Sequence, residues 1–327
     1  MREINILILS AGRRVELVQS FQKAAKRLNI KSNVLAGDCS ETAPAIYFAD
    51  KKVILPSINE PNYIDEIINV CKKEDVKLVV PTIDTDLLLL SEERERIESE
   101  SGAVVLISST EAVSICRDKI NTQKFLEENG FKIPKMYSEE ELDSKNIQFP
   151  LFIKPKSGSS SINTFKVNNL EELNTYRFLI KEPIVQDFME GKEFTVDVFL
   201  DFNGDLITVV PRLRMATRSG EISKGKIVKD NEIIEDIKRL VKILKPIGHI
   251  TVQLMKTNKG IKYIEINPRF GGGAPMSIQS GADSCENLYR LLRGEKIEYN
   301  ENYRDNIMFF RFDNSICVDG NMEIIQW

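Results

Sequence analysis

A single histidine, His249, is all the imidazole this 327-residue chain carries. A serine triad, a Cys–His nucleophile or a His-rich zinc site is therefore close to excluded. His249 follows Pro246 and Gly248 at a strand start and reads as structural. The five cysteines, Cys39, Cys71, Cys116, Cys285 and Cys317, are scattered with no C-x-x-C, which suits reduced thiols rather than disulfides or metal ligands. No apolar run nears the roughly 20 residues of a membrane span, and Ile4 to Leu9 reads as a short buried strand. The first residues lack the charged, apolar and small-residue regions of a signal peptide, so a cytoplasmic protein without a membrane partner is expected. Neither sign of charge dominates: 45 Lys and Arg stand against 49 Asp and Glu, net −4. That balance argues against a nucleic-acid partner held by counterion release.

What is present is a soluble globular composition, 42% hydrophobic and 29% charged, on a chain long enough for two or three cored domains. Residues 1–116 alternate strand and helix. Val15, Val18, Phe21, Ala25 and Leu28 recur at helical spacing after the first strand, and Ile64, Ile67, Ile68 and Cys71 mark a second helix. A charged helix from about Leu87 to Glu100 follows the strand Leu78-Val-Val-Pro81. Such alternation predicts a doubly wound parallel α/β sheet, with ligands at the carboxyl ends of its strands. Ser10-Ala11-Gly12-Arg13 occupies one such end; Thr82, Asp84 and Asp86 occupy another. The first turn lacks G-x-G-x-x-G, so a dinucleotide fingerprint is missing.

Beyond Asp118, which caps a helix running to Gly130, the texture changes to α+β. Residues 193–200 and 206–210 read as a hairpin, 211–226 as a basic loop, and Ile233, Ile237, Leu240, Val241 and Leu244 as an amphipathic helix.

The richest stretch is Lys262-Tyr-Ile-Glu-Ile-Asn-Pro-Arg-Phe270, followed by Gly271, Gly272 and Gly273. Alternation puts Glu265 and Asn267 on one face of a strand. A three-residue turn at Asn258-Lys259-Gly260 joins it to the strand from Ile250 to Lys256. That register sets Val252 opposite Ile266, Leu254 opposite Ile264, and Lys256 opposite Lys262. Gln253 then faces Glu265, so three oxygen-bearing side chains converge, and with a guanidinium just beyond they suit a divalent cation bridging phosphates. An ordinary hairpin with a polar outer face gives the same pattern.

Two lysines sit where a phosphate would explain them. Lys154 ends the apolar strand Pro150-Leu-Phe-Ile-Lys-Pro155, and Lys119 stands at a helix start, where the dipole disfavours a cation. Ser157, Gly158, Ser159 and Ser160 follow, small enough for backbone amides to approach phosphate oxygens.

Asp118-Lys119, Phe152-Ile-Lys-Pro155, the Gly/Ser loop, Gln186-Asp-Phe-Met-Glu-Gly-Lys-Glu193 and Glu265-Ile-Asn-Pro-Arg269 occur in the order and spacing of the ATP-grasp superfamily. Over residues 1 to about 295 the chain resembles the group similar to the carbamoyl phosphate synthase large subunit and the pyrrolysine-biosynthesis ligase. Ala43-Pro-Ala-Ile-Tyr-Phe-Ala-Asp50 and Pro81-Thr-Ile-Asp-Thr-Asp86 resemble that group's N-terminal pre-ATP-grasp domain.

The resemblance implies a pre-ATP-grasp domain over 1–116 and a two-lobed ATP-grasp fold, small lobe 117–190 and large lobe 191–300, with a terminal β segment and tail over 301–327. It implies ATP and one or two Mg²⁺, with Mn²⁺ an alternative. Lys119 and Lys154 would contact the phosphates. Gln186, Asp187, Phe188 and Met189 would form the adenine-binding hinge, and Glu193 would bind the ribose. Gln253, Glu265 and Asn267 would hold the metal, and Arg269 would steady the transferred phosphoryl group. Gln186 stands where Glu is frequent and Asp187 where Lys is. The implied reaction joins a small-molecule carboxylate, such as an amino acid or small organic acid, to an amine through an acyl phosphate. Water must be kept from that intermediate, and Ser157–Ser161 or the basic loop would close over it. Arg212, Arg214, Arg218 and Lys224 are candidates for the substrate's carboxylate or phosphate, with Gly272 admitting substrate to the backbone. A non-catalytic ATP-binding regulator of the same fold, and a nucleotide-sugar or dinucleotide enzyme using the first domain, are the competing readings. A homodimer is left open.

Overall fold

β1 (Asn5–Leu9) is buried along its whole length. Ile6 and Ile8 enter one hydrophobic cluster and Leu7 and Leu9 another, as expected of a strand covered on both faces. In the computed structural model, which describes residues 3–144, 147–156 and 162–325, β1 is the centre of a five-stranded parallel sheet. Its neighbours are β2 (Val34–Asp38), β3 (Lys51–Ile54), β4 (Val76–Pro81) and β5 (Val104–Val105), in the order β3-β2-β1-β4-β5. The strand order reverses between β1 and β4, so residues 10–14 and 82–86 meet at the crevice where doubly wound sheets bind ligands. The expected long charged helix is two, Asp84–Glu92 and Arg94–Ser101, which meet at Glu93.

A small antiparallel sheet follows: β6 (Leu151–Pro155) lies between β7 (Phe165–Val167) and β8 (Pro183–Asp187). Leu151, Ile153, Val167 and Val185 bury themselves with Leu142, Leu173 and Ile180 in a core separate from the others.

The remaining strands are β9 (Lys192–Leu200), β10 (Leu206–Arg218), β11 (Glu221–Ile227), β12 (His249–Thr257), β13 (Gly260–Asn267) and β14 (Met308–Phe310). They form one antiparallel sheet in the order β13-β12-β9-β10-β11-β14. Helix Asn231–Leu244 covers it, capped by the Asp230 side chain on the Ile233 amide. Helix Lys119–Glu128 buries Leu126 in the same core.

Two expectations are corrected here. Residues 211–226 are not a loop but the outer part of the β10–β11 hairpin, turned at Ser219 and Gly220 with φ of +50° and +76°. The arginines are tolerated in the ladder because Asp197 and Glu193, on neighbouring β9, neutralise Arg212 and Arg214. On β13, Val252 faces Ile266 and Gln253 faces Glu265 as expected, but a bulge at Ile264 then sets Leu254 opposite Tyr263 and Lys256 opposite Ile261. The extra residue turns Tyr263 into the core, edge-on to Phe131 at 5.3 Å, with its hydroxyl donating to Asp236 at 2.8 Å. It also separates Lys256 from Lys262, whose juxtaposition the regular register required. The loop is shortened to Asn258–Lys259, with Gly260 at φ +103°.

The parallel sheet and the large antiparallel sheet share one core. Phe21 packs edge-on to Phe270 and Tyr289 at 6.2 and 6.1 Å, and Phe270 stacks on His249 at 4.2 Å. No helix among the described residues is long and apolar enough to cross a membrane.

Candidate active site

A cleft of about 1120 Å³ runs between the small and large antiparallel sheets to the carboxyl end of the parallel sheet. The apolar run of β6 carries Lys154 into its wall, where the side chain is 6% exposed. Burial, and after it the charge of Lys119, lowers the Lys154 pKa from 10.5 to about 8, against the opposing pull of Glu265. Among the described residues no acceptor closes on its Nζ. Lys119, at the start of its helix, donates to the Pro155 carbonyl at 3.1 Å. Its pKa is also lowered, by burial, with Glu265 and Asp118 opposing. Two crowded ammonium groups facing one carboxylate make a strong site for a polyanion.

Across the cleft, β13 presents Glu265 and Asn267, joined by an Nδ2–Oε1 hydrogen bond of 3.1 Å. Gln253 lies beside Glu265 on β12 and donates its amide to Glu193. Glu193 also pairs with Arg214 Nε at 3.0 Å. Among the described residues no group of three or more His, Cys, Asp or Glu could hold a metal. Glu265, Asn267 and the Gln253 carbonyl would supply part of the six-oxygen shell of Mg²⁺, leaving the rest to phosphate and water, as is usual for that ion.

Arg269 makes a two-pronged ion pair with Asp84 of the parallel-sheet domain, Nε to Oδ1 at 2.9 Å with Nη2 on Oδ2. Its Nη2 also lies 3.5 Å from Asn267 Oδ1. Sequence reading placed Asp84 at a strand end but did not connect it to Arg269, because the pair spans 185 positions of chain.

At the opposite end, β8 delivers Gln186, Asp187, Phe188 and Met189 to the cleft wall. Gln186 is buried and its Oε1 has no hydrogen-bond partner among the described residues, an acceptor of the kind that an exocyclic amino group would satisfy. Asp187 accepts from the Tyr137 hydroxyl at 2.9 Å, and Lys166 stands over the Phe188 ring. Ser157, Gly158, Ser159 and Ser160, and with them the lid Ser157–Ser161, lie outside the described residues.

Of the four basic candidates on β10 and β11, the fold brings two to the cleft. Arg212 is 1% exposed and grips Asp197 through Nε and Nη2 at 2.6 and 2.9 Å. Asp197 also accepts from Ser277 Oγ, and His249 Nε2 lies 3.5 Å away. Burial alone would raise the Asp197 pKa, but the charge and hydrogen bonds of Arg212, with His249 nearby, hold it well below the carboxylate range. Arg214 lines the cleft beside Glu193. Arg218 instead pairs with Asp313 at the surface at 2.6 Å, and Lys224 is exposed on the outer hairpin; neither lines the cleft. Strict alternation would keep Arg218 on the face of Arg212 and Arg214, but register shifts between Arg214 and Thr217 interrupt it. Gly272 lies in the cleft floor. Sequence reading missed Arg14, which leaves the first βα turn to meet Glu221 at 3.1 Å.

Residues 6–106 match the family model described as "PylC-like, N-terminal domain", and residues 116–273 match "ATP-grasp domain". The chain is 23% identical over 267 residues to a carbamoyl-phosphate synthase of Methanobrevibacter smithii, covering 73% of this chain and 72% of that protein. It is 27% identical over 194 residues to D-alanine–D-alanine ligase B of Clostridium perfringens, covering 52% of this chain and 63%, under two thirds, of that protein. Among solved structures, the N5-carboxyaminoimidazole synthetase of Staphylococcus aureus complexed with ADP shares the fold with a TM-score of 0.71 at 17% identity, over 90% of this chain and 79% of that one.

Proposed function

Because the chain belongs to the ATP-grasp superfamily of carboxylate–amine ligases, we propose that it activates a small carboxylic acid with ATP and joins it to an amine. The γ-phosphoryl group moves from ATP to a carboxylate oxygen, releasing ADP. The amine nitrogen then attacks the acyl carbon, and inorganic phosphate leaves with the former carboxylate oxygen. Mg²⁺ bound with the nucleotide would neutralise phosphate charge.

Each wall has its own task. Lys154 and Lys119 face the phosphates as preorganised cations in a water-poor site, where their effect on developing charge is largest. Gln186 Oε1 accepts from the adenine amino group, Phe188 and Met189 border the base, and Glu193 takes the ribose hydroxyls. Glu265, Asn267 and Gln253 hold the metal. Arg269, fixed by Asp84, steadies the phosphoryl oxygens in transit.

The observation that carries this reading is Lys154, a buried ammonium that has no acceptor among the described residues and lies across the cleft from Glu265. Mg²⁺-dependent ADP release, measured across amino acids and organic acids with and without amines, tests it. Stimulation by an acid–amine pair supports the ligase; tight ATP binding with no release under any pair refutes it.

A further inference from the structure

The free edge of the large sheet is apolar. From Ile307 to Phe312 exposure alternates residue by residue. Ile307, Phe309 and Arg311 are half-buried, whereas Met308, Phe310 and Phe312 are 53%, 63% and 84% exposed. Ile307 and Phe309 pack against the cluster of Ile222, Ile227 and Met276, so one face of β14 lies on the core and the other points outward.

The odd-numbered residues make the ladder to β11. The Ile227 amide donates to the Ile307 carbonyl, and the Arg311 amide donates to the Ser223 carbonyl, both at 2.9 Å. Successive residues of an antiparallel strand turn their backbone groups to opposite sides. The N–H and C=O of Met308, Phe310 and Phe312 therefore face away from the sheet, of which β14 is the last strand. No backbone group among the described residues takes up those amides. Edges are ordinarily guarded by an outward charge, a proline or a bulge, and these three positions carry none.

An open ladder is completed by a strand, and the spacing here fits a second copy of this chain. Two such edges, antiparallel about a two-fold axis at Phe310, place Phe310 opposite itself and Met308 opposite Phe312. Every outward side chain then meets an apolar one, and about six hydrogen bonds form. Lys224, beside Phe310 on β11, would lie three strand spacings from its counterpart, roughly 14 Å and beyond the ~8 Å screening length at physiological salt. At about 200 Å² for each whole side chain, the exposed parts of the three come to roughly 400 Å² per protomer, half the usual ~800 Å². The contact is therefore reversible.

We infer that the chain self-associates through β14, joining two six-stranded sheets into one across a two-fold axis at Phe310. This goes beyond the ligase reading and does not rest on it, since no residue of β14 lines the cleft.

Sedimentation velocity of the full chain from about 1 to about 200 μM, the range for a small interface, tests it. The weight-average mass should climb from 37.3 kDa toward twice that value. Phe310→Lys sets like charges opposite each other at the axis, and should stay monomeric with nucleotide affinity and melting temperature unchanged. Phe312→Lys, beyond the end of β14, stands in if Phe310→Lys does not fold. The register has its own test, made with the exposed Cys39 and Cys317 replaced by serine. Phe310→Cys puts its Cα about 5.5 Å from its counterpart, within disulfide reach, and should oxidise to a covalent dimer about tenfold faster than Met308→Cys. A monomer over the whole range, a dimer that survives both lysine variants, or equal cross-linking at positions 308 and 310 overturns the inference.

Discussion

Replacing Lys154 with methionine should make the free protein more stable and a poorer nucleotide binder. Its pKa falls from 10.5 to about 8 in the fold, so at about 1.4 kcal/mol per tenfold the ionised side chain costs the folded state on the order of 3 kcal/mol. The folded value lies below the unfolded one, so this cost is present in full below pH 8 and disappears as the pH rises toward 10.5. Methionine keeps the length of the side chain without the charge, and at pH 7 should raise the melting temperature by a few degrees. Nucleotide phosphate favours the charged form, so binding above pH 8 must take up a proton. With the bound-state value restored to 10 or above, the Kd for Mg–ADP should rise about tenfold between pH 7 and pH 9. Calorimetry in buffers of different ionisation enthalpy measures both the slope and the proton. A pH-independent Kd over that range, or the same slope in Lys154→Met, would refute the reasoning.

Three further outcomes are expected. Glu265→Gln should abolish Mg²⁺-dependent ADP release while shifting the melting temperature little, since Glu265 faces the cleft rather than the core; retained turnover removes the metal assignment. Asp84→Asn removes the charge that holds Arg269 and should lower kcat about 10- to 100-fold with nucleotide Kd unchanged, as single-turnover and binding measurements would show. Gln186→Leu removes the unmatched acceptor and should cost ATP, but not GTP, about tenfold in affinity; equal losses for both would move the base elsewhere.

The sequence carried the parallel sheet because Ile6–Leu9 of β1 and Leu78–Pro81 of β4 are continuous apolar runs between amphipathic helices. It also carried the pairing of Gln253 with Glu265, because alternation leaves only one register that keeps Val252 against Ile266. The bulge at Ile264 escaped it, since the cause is Phe131 and Asp236, partners of Tyr263 more than twenty residues distant. That Arg212 and Arg214 stand in a β ladder rather than on a basic loop escaped it for the same reason: their counter-charges, Asp197 and Glu193, lie on another strand. Arg14 and Asp84 belong to the site only because the two large domains share a core around Phe21 and Phe270.

The three-stranded sheet, by contrast, keeps its apolar side chains to itself. Glu265, Asn267, Arg269 and Arg212 thus stand on elements packed into the larger cores and Lys154 and Gln186 on a core of their own, with Lys119 reaching across to Pro155. A substitution inside that small core would shift Lys154 and Gln186 and leave Glu265, Asn267 and Arg269 where they are. Evolution could thus retune the grip on ATP and the set of metal ligands on separate pieces, without either adjustment disturbing the other.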